Sequence, residues 1–179
     1  MTAPEAGLDV ASSSPEQTRR LAERLARVAE LGDVLCLWGD LGAGKTVFAK
    51  GFGRGLGIAA TISSPTFVLM GEYAGRLPLF HIDLYRLATA TEALDGGLLD
   101  DRQATGVVLV EWPDRLGAAL PPDRLDVRID SVDGAGADGP AVDGPAVDGA
   151  DEPRRIRLQA LGTGYERYVE TARAMGGSL

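Results

Sequence analysis

The run Gly39-Asp40-Leu41-Gly42-Ala43-Gly44-Lys45-Thr46 carries the clearest chemistry in the chain. It lies between an apolar segment, Val34-Leu35-Cys36-Leu37-Trp38, and a helix-like stretch beginning Val47-Phe48-Ala49-Lys50. Glycines let a backbone wrap until its N–H groups point inward at phosphate oxygens, and a helix that starts there adds its positive end. In a G-x-x-x-x-G-K-T pattern the lysine reaches the β- and γ-phosphates and the threonine hydroxyl holds Mg2+. Lys45 and Thr46 take those positions, so the chain is expected to bind a nucleoside triphosphate. The bland alternative, a glycine-rich turn with an exposed lysine, explains neither the strand before the loop nor the helix after it.

Two further segments place polar groups where a phosphate chemistry needs them. In an extended His81-Ile82-Asp83-Leu84-Tyr85-Arg86, the side chains of His81, Asp83 and Tyr85 share one face and Phe80, Ile82 and Leu84 the other. Val107 to Glu111 is apolar up to a charged end, as expected of a buried central strand whose last residue emerges at a site. Mg2+ takes oxygen ligands, so Thr46 and either Asp83 or Glu111 can hold it, directly or through water, while the other carboxylate orients or activates the attacking water. Asp83 could instead only ion-pair with Arg86, and Glu111 could only terminate a strand. His81 is the single histidine, which excludes a His-based metal cluster and leaves a structural or a catalytic imidazole. Trp112 reads more readily as a buried anchor than as a base-stacking platform.

These residues must be positioned by a recognisable order of elements. Ser14 can cap a helix over 15–31, with Pro15 in its first turn, Gln17 placed for a capping box, Leu21, Leu25 and Val28 at helical spacing and Gly32 as a stop. Residues 33–38 form the strand entering the phosphate loop and 45–56 the helix leaving it, whose end Gly51, Gly53, Gly55 and Gly57 weaken. Pro65 pushes Ser64 into an extended conformation ahead of a strand near 66–69, and a turn at Ala74-Gly75-Arg76 suggests a hairpin with the run 77–87. Residues 91–103 read as irregular or briefly helical, and Pro113 closes the strand that ends at Glu111 and Trp112. Strands follow at 125–129 and 156–161, and a helix at 165–175 puts Tyr165, Tyr168, Val169 and Ala172 on one face. Between the last two strands, residues 133–152 hold a tandem Asp-Gly-Pro-Ala-Val that is too rich in Gly, Pro and Asp to bury a face. It reads as a disordered loop insertion, since a calcium repeat would want oxygen ligands where Pro and Ala stand.

Composition narrows the class further. The 179 residues suit one domain with a real core and leave no room for a second catalytic domain. A formal charge of −8 makes the chain a poor ligand for RNA or DNA on its own, so any nucleic-acid contact is expected to be indirect, through partners. The single cysteine, Cys36, lies in an apolar strand and reads as core filler; it leaves the redox compartment open. Residues 1–13 carry no signal-peptide pattern and are expected to be a flexible N-terminus, and the absence of a long apolar run argues for a cytoplasmic protein with no membrane contact. The sequence lacks the guanine-reading Asn/Thr-Lys-x-Asp element and the Leu-Ser-Gly-Gly-Gln signature of transporter ATPases. Arg76, Arg86 and Arg102 form no lid-like cluster of the kind small-molecule kinases use, which makes such a kinase, or a nucleotide kinase, the second choice. A nucleotide-gated adaptor that works by binding alone is a third.

The motifs at 39–46, Ser64-Pro65-Thr66-Phe67, His81 to Arg86 and Glu111-Trp112-Pro113, in this order and spacing, resemble the TsaE (YjeE) family, the ATPase component of bacterial tRNA threonylcarbamoyladenosine synthesis. The resemblance runs from about Ser14 to Leu161, with the segment 133–152 as its main departure. It implies an α/β, single-domain P-loop NTPase with a central, partly parallel sheet flanked by helices. It also implies that Leu41, Gly42, Ala43, Gly44, Lys45 and Thr46 cradle ATP, that Thr46 and Glu111 serve Mg2+, and that Asp83 is needed for metal binding or hydrolysis. Lys45, Asp83 and Glu111 are then the catalytic set. Ser64 to Phe67 would be a nucleotide-sensing switch, with Thr66 closest to a sensor role, and the stretch from Val10 to Ser14 would lie near the adenine. Family members act on the complex of the TsaB and TsaD proteins, where ATP hydrolysis resets TsaD for repeated transfer of the threonylcarbamoyl group to adenosine 37 of tRNA.

Overall fold

The computed structural model describes residues 6–64, 70–86, 104–132 and 152–176. Its described strands make one seven-stranded sheet: β1 (Ala6–Ser12), β2 (Val34–Trp38), β3 (Met70–Tyr73), β4 (Leu79–Asp83), β5 (Val107–Glu111), β6 (Arg124–Ser131) and β7 (Arg154–Leu161), in spatial order β1-β7-β6-β2-β5-β4-β3. The four central strands β6, β2, β5 and β4 run parallel, and antiparallel pairs close both edges. This is the partly parallel α/β sheet that the sequence predicts. Helices α1 (Pro15–Ala26), α2 (Lys45–Gly55) and α3 (Glu166–Ala174) share one apolar core with the sheet. A 3-10 helix, Pro113–Ala119, sends Leu116 into a smaller core with Val34, Cys36, Phe80, Ile82, Val108 and Val110 on the opposite face. β4, β5 and all of β2 but Trp38 are buried because side chains on both faces are covered; each buried Leu, Ile or Val contributes roughly 1.5–3 kcal/mol.

The start of α1 follows its sequence closely. Ser14 is the N-cap, its Oγ accepting the Gln17 N–H at 3.3 Å, and the Gln17 side chain accepts the Ser13 N–H at 2.7 Å. Its end does not: the helix stops at Ala26, short of the expected 31. Arg27, Val28 and Ala29 donate to carbonyls three residues back, tightening the chain out of α geometry. Arginines from remote parts of the chain also bind the carbonyls of this last turn. Arg76 donates to Ala26 O at 2.9 Å and Ala29 O at 3.1 Å, and Arg167 to Val28 O at 2.8 Å.

The N-terminal stretch also departs from expectation. Instead of remaining flexible over 1–13, the chain from Ala6 to Ser12 is an edge strand antiparallel to β7, with Leu8 opposite Leu158 and Val10 opposite Ile156. Its alternation is only a few residues long, and the partner that pays for its ordering lies far along the chain. The glycines of α2 have a different role from the one their propensity suggests. A β-carbon at Gly51 would lie 2.4 Å from Arg19 O, and one at Gly55 2.3 Å from Glu23 O, so these glycines let α2 press backbone to backbone against α1.

The pair β6 and β7 forms as predicted, and Tyr165, Tyr168, Val169 and Ala172 are buried at α3. β4 lies in the predicted run 77–87 and pairs across the expected turn, but its partner β3 is Met70–Tyr73, C-terminal to the strand expected near 66–69. Residues 61–64 are not a strand. Thr66 with the strand expected near 66–69, the segment 91–103 and the insertion from 133 to 151 lie outside the described residues. Among the described residues, no helix is long and apolar enough to cross a membrane.

Candidate active site

The C-terminal ends of β2, β5 and β4 open side by side, the usual place for a ligand on a parallel sheet. The register pairs Glu111 with Leu37 on one side and with Asp83 on the other, so both carboxylates leave the sheet on the face that α2 covers. Both are buried, Glu111 to 3% exposure and Asp83 to 6%. Glu111 Oε1 accepts from Thr46 Oγ1 at 3.3 Å and pairs with His81 Nε2 at 2.8 Å. Asp83 Oδ2 accepts from Ser64 Oγ at 2.7 Å and its Oδ1 from the Tyr85 N–H at 2.9 Å. The motifs around 45, 64, 81 and 111, far apart in sequence, thus converge on one cleft.

The loop from Gly39 to Gly44 is built from backbone that only glycine tolerates. Gly39, Gly42 and Gly44 have φ of 139°, 80° and 111°, in the region closed to most L-residues. Space reinforces the requirement at Gly39, where a β-carbon would meet Ile129 O at 2.3 Å. At Gly42 and Gly44 a β-carbon would enter open space. Leu41 stands at the tip, 73% exposed. Ala43 O accepts from Arg154 Nε at 3.1 Å, and Gly44 O receives the Phe48 N–H at 3.0 Å as α2 begins.

Lys45 is buried and folded back on its own loop, donating to Gly39 O at 2.6 Å and Asp40 O at 2.8 Å. Its ammonium also sits 4.1 Å from the centre of the Trp112 ring. Burial lowers its pKa from the ordinary lysine value, while the carboxylates of Glu111, Asp83, Asp40 and Asp114 pull the other way. Trp112 is the sole described non-glycine residue at positive φ, 59°, a geometry that costs on the order of 1 kcal/mol. Contacts with Lys45 and with the Tyr85 ring, 4.9 Å away, hold it there. Trp112 packs half-buried against the smaller core, in line with the anchor the sequence favours, and it also lies against the loop lysine.

The sequence places Lys45, Thr46, Asp83 and Glu111 in one site, and the structure brings them together with Ser64. It leaves the role of His81 open, whereas the structure puts the imidazole on Glu111, fully buried, with Nδ1 lacking a hydrogen-bond partner. Arg154 is the contact that sequence reading misses, since its only signal is a register position at the start of β7. Thr46, Asp83 and Glu111 offer hydroxyl and carboxylate oxygens, the donor chemistry that Mg2+ accepts. No group of three or more His, Cys, Asp and Glu side chains among the described residues is arranged to hold a metal by itself. The fit is to an ion that shares its shell with phosphate oxygens and water.

A sequence model of the family described as threonylcarbamoyl adenosine biosynthesis protein TsaE matches residues 12–136, most of the chain. The chain belongs to the TsaE family. Relatives named tRNA threonylcarbamoyladenosine biosynthesis protein TsaE include one from Bacillus subtilis, 40% identical over 158 residues that cover 88% of each chain. Another, from Streptomyces coelicolor, is 36% identical over 147 residues, covering 80% of this chain and 90% of its own. The Treponema pallidum relative is 44% identical over 110 residues, 62% of this chain and 82% of its own. The crystal structure of Bacillus subtilis YdiB superposes with a TM-score of 0.72 at 34% identity and covers 97% of this chain and 98% of that one. TsaE membership and this likeness place the chain in the P-loop NTPase fold.

Proposed function

We propose that this TsaE-family chain binds and hydrolyses ATP with Mg2+, and that the hydrolysis serves tRNA threonylcarbamoyladenosine formation by resetting a TsaB–TsaD complex between rounds of transfer. The observation that carries the reading is the convergence of Lys45, Thr46, Asp83 and Glu111 at the strand ends. The loop amides and the positive end of α2 would surround the phosphates, and Lys45, released from Gly39 O and Asp40 O, would neutralise the β- and γ-phosphates. Thr46 and Glu111 would hold Mg2+, with Asp83 as a further ligand or the group that orients water. When bound, the ion polarises the phosphate oxygens. Glu111, fixed by Thr46 and His81, keeps one carboxylate direction available for the ion or the water. Ser64 contributes by reporting on Asp83, whose Oδ2 it holds, and it begins the proposed switch that includes Thr66.

The net charge of −8 fits a division of labour in which the partners carry tRNA and this chain carries the nucleotide, in the cytoplasm. The test is multiple-turnover formation of threonylcarbamoyladenosine on tRNA, reconstituted from TsaB, TsaD and the enzyme that supplies the activated threonylcarbamoyl donor. Product should exceed one equivalent of TsaD only when this chain and ATP are both present. Equal yield with and without the chain would reject the role.

A further inference from the structure

We propose that Arg154 is a positioning residue for phosphate binding, holding the phosphate loop in its nucleotide-ready conformation from the edge of β7 through the carbonyl of Ala43. The inference rests on the nucleotide-binding reading above and adds to it a residue beyond the 12–136 span that the family model matches. A loop that surrounds phosphates must turn its carbonyls away and its N–H groups inward, because a carbonyl oxygen facing an anion is repelled. The Ala43–Gly44 peptide is planar and trans, so its C=O and N–H point in opposite directions. Holding Ala43 O toward β7 sends the Gly44 N–H to the other side.

Local contacts settle only part of that choice: the Ala43 N–H donates to Asp40 O at 3.1 Å and its side chain is buried in the main core, but neither contact holds its carbonyl. Ala43 lies between Gly42 and Gly44, whose φ values of 80° and 111° sit in a region that glycine enters and leaves freely. A β-carbon at either would meet nothing within 4 Å, so packing does not hold the two glycines. The restraint comes from across the sheet: Arg154 Nε donates to Ala43 O at 3.1 Å. The guanidinium is itself held, since its Nη1 donates to Ser131 Oγ at 3.3 Å and to Glu152 Oε2 at 3.0 Å. Ser131 and Arg154 are register partners, and the Arg154 side chain is only 15% exposed. Glu152 is 63% exposed and adds little. Gly39, against Ile129 O, leans on the same end of β6. The β6–β7 end therefore braces the loop at its first residue by contact and at Ala43 by a charged hydrogen bond. The fork geometry matters: one N–H reaches the loop while others bind the strand end, which a lysine cannot reproduce.

Titration calorimetry on the parent, Arg154→Ala and Arg154→Lys, with Mg-ATP and Mg-ADP, tests the role alongside thermal melting without nucleotide. Loss of one charge-assisted hydrogen bond should raise the Kd of Arg154→Ala for both nucleotides about tenfold, with the lysine variant only partly restored. The unliganded melting temperature should fall by only about 3–6 °C. Millimolar guanidinium should recover part of the affinity of Arg154→Ala and none for the parent. An Arg154→Ala affinity within about twofold of the parent would overturn the role. So would a melting temperature more than about 10 °C lower, with weakened binding that guanidinium leaves unchanged, the signature of a simple brace between strands. A parent that binds neither nucleotide would overturn the nucleotide reading and this inference together, whereas a binding parent with an unaltered variant rejects Arg154 alone.

Discussion

His81 Nε2 lies 2.8 Å from Glu111 Oε1, with the imidazole fully buried and its Nδ1 without a hydrogen-bond partner. A buried polar atom left unpaired costs about 1–3 kcal/mol, so the ring is placed for what Nε2 does. With its proton on Nε2 it donates to Glu111 and fixes the carboxylate that Thr46 also touches. Replacing His81 by Leu should cut ATP turnover about tenfold while nucleotide affinity changes little; His81→Gln, which keeps an N–H donor, should recover part of it. Steady-state kcat set against calorimetric Kd checks this. Equal turnover in the parent and the leucine variant would remove His81 from the account.

The carboxylates themselves separate binding from chemistry. Glu111→Gln keeps the shape but removes the charge, and its hydrolysis rate should fall by about 10²-fold or more with a much smaller loss of ATP affinity. Asp83→Asn should behave in the same way and should also weaken the Ser64 contact. Phosphate release assays on both variants decide the point, and parent-like rates in both would mean the site is elsewhere.

A second buried polar cluster, at the far end of β2, should control stability. Asp33 is 5% exposed and accepts from Tyr168 Oη at 2.5 Å, from Arg167 at 2.5 Å and from the Glu30 N–H at 2.8 Å. It ties α3 to the turn before the sheet. Tyr168→Phe removes one donor from a buried carboxylate and should destabilise the fold by about 1–3 kcal/mol. An unchanged urea midpoint would show that the cluster carries no net stability.

Alkaline pH should destabilise the protein in a defined direction. Burial pushes the Cys36 thiol up from 9.0 to about 12, and burial likewise raises Tyr165 from 10.0 to about 12. Above pH 9 and then above pH 10, the unfolded chain releases these protons while the folded one keeps them. The folded state then binds more protons, so stability falls as pH rises, by up to about 1.4 kcal/mol per pH unit for each group. Urea unfolding between pH 8 and 10.5 measures the slope; a flat profile would contradict the burial of both groups.

Much of this was legible in the residues because the signals are local. The capped start of α1, the apolar strand before Gly39, the charged end of β5 at Glu111 and the alternation through His81 and Asp83 each announce themselves within a few positions. What was not legible depends on distant partners. The early end of α1 is set by Arg76 and Arg167, and the ordering of β1 by Leu158 and Ile156. The tolerance for glycine in α2 comes from the backbone of α1 at Arg19 and Glu23. At the site, the residue types pointed to phosphate and Mg2+ chemistry, but the back-folded Lys45, the left-handed Trp112 beneath it and the grip of Arg154 on Ala43 are tertiary contacts that no local pattern encodes.

The central claim is that Lys45 makes this loop a nucleotide site, and titration calorimetry of the parent and Lys45→Ala with Mg-ATP tests it most directly. Lys45 makes no salt bridge among the described residues; its ammonium contacts loop carbonyls and the Trp112 ring. The variant should therefore melt within a few degrees of the parent, about the shift of a lost hydrogen bond. The parent should bind saturably, and the folded variant should show no measurable binding. Unchanged Mg-ATP affinity in Lys45→Ala would contradict it.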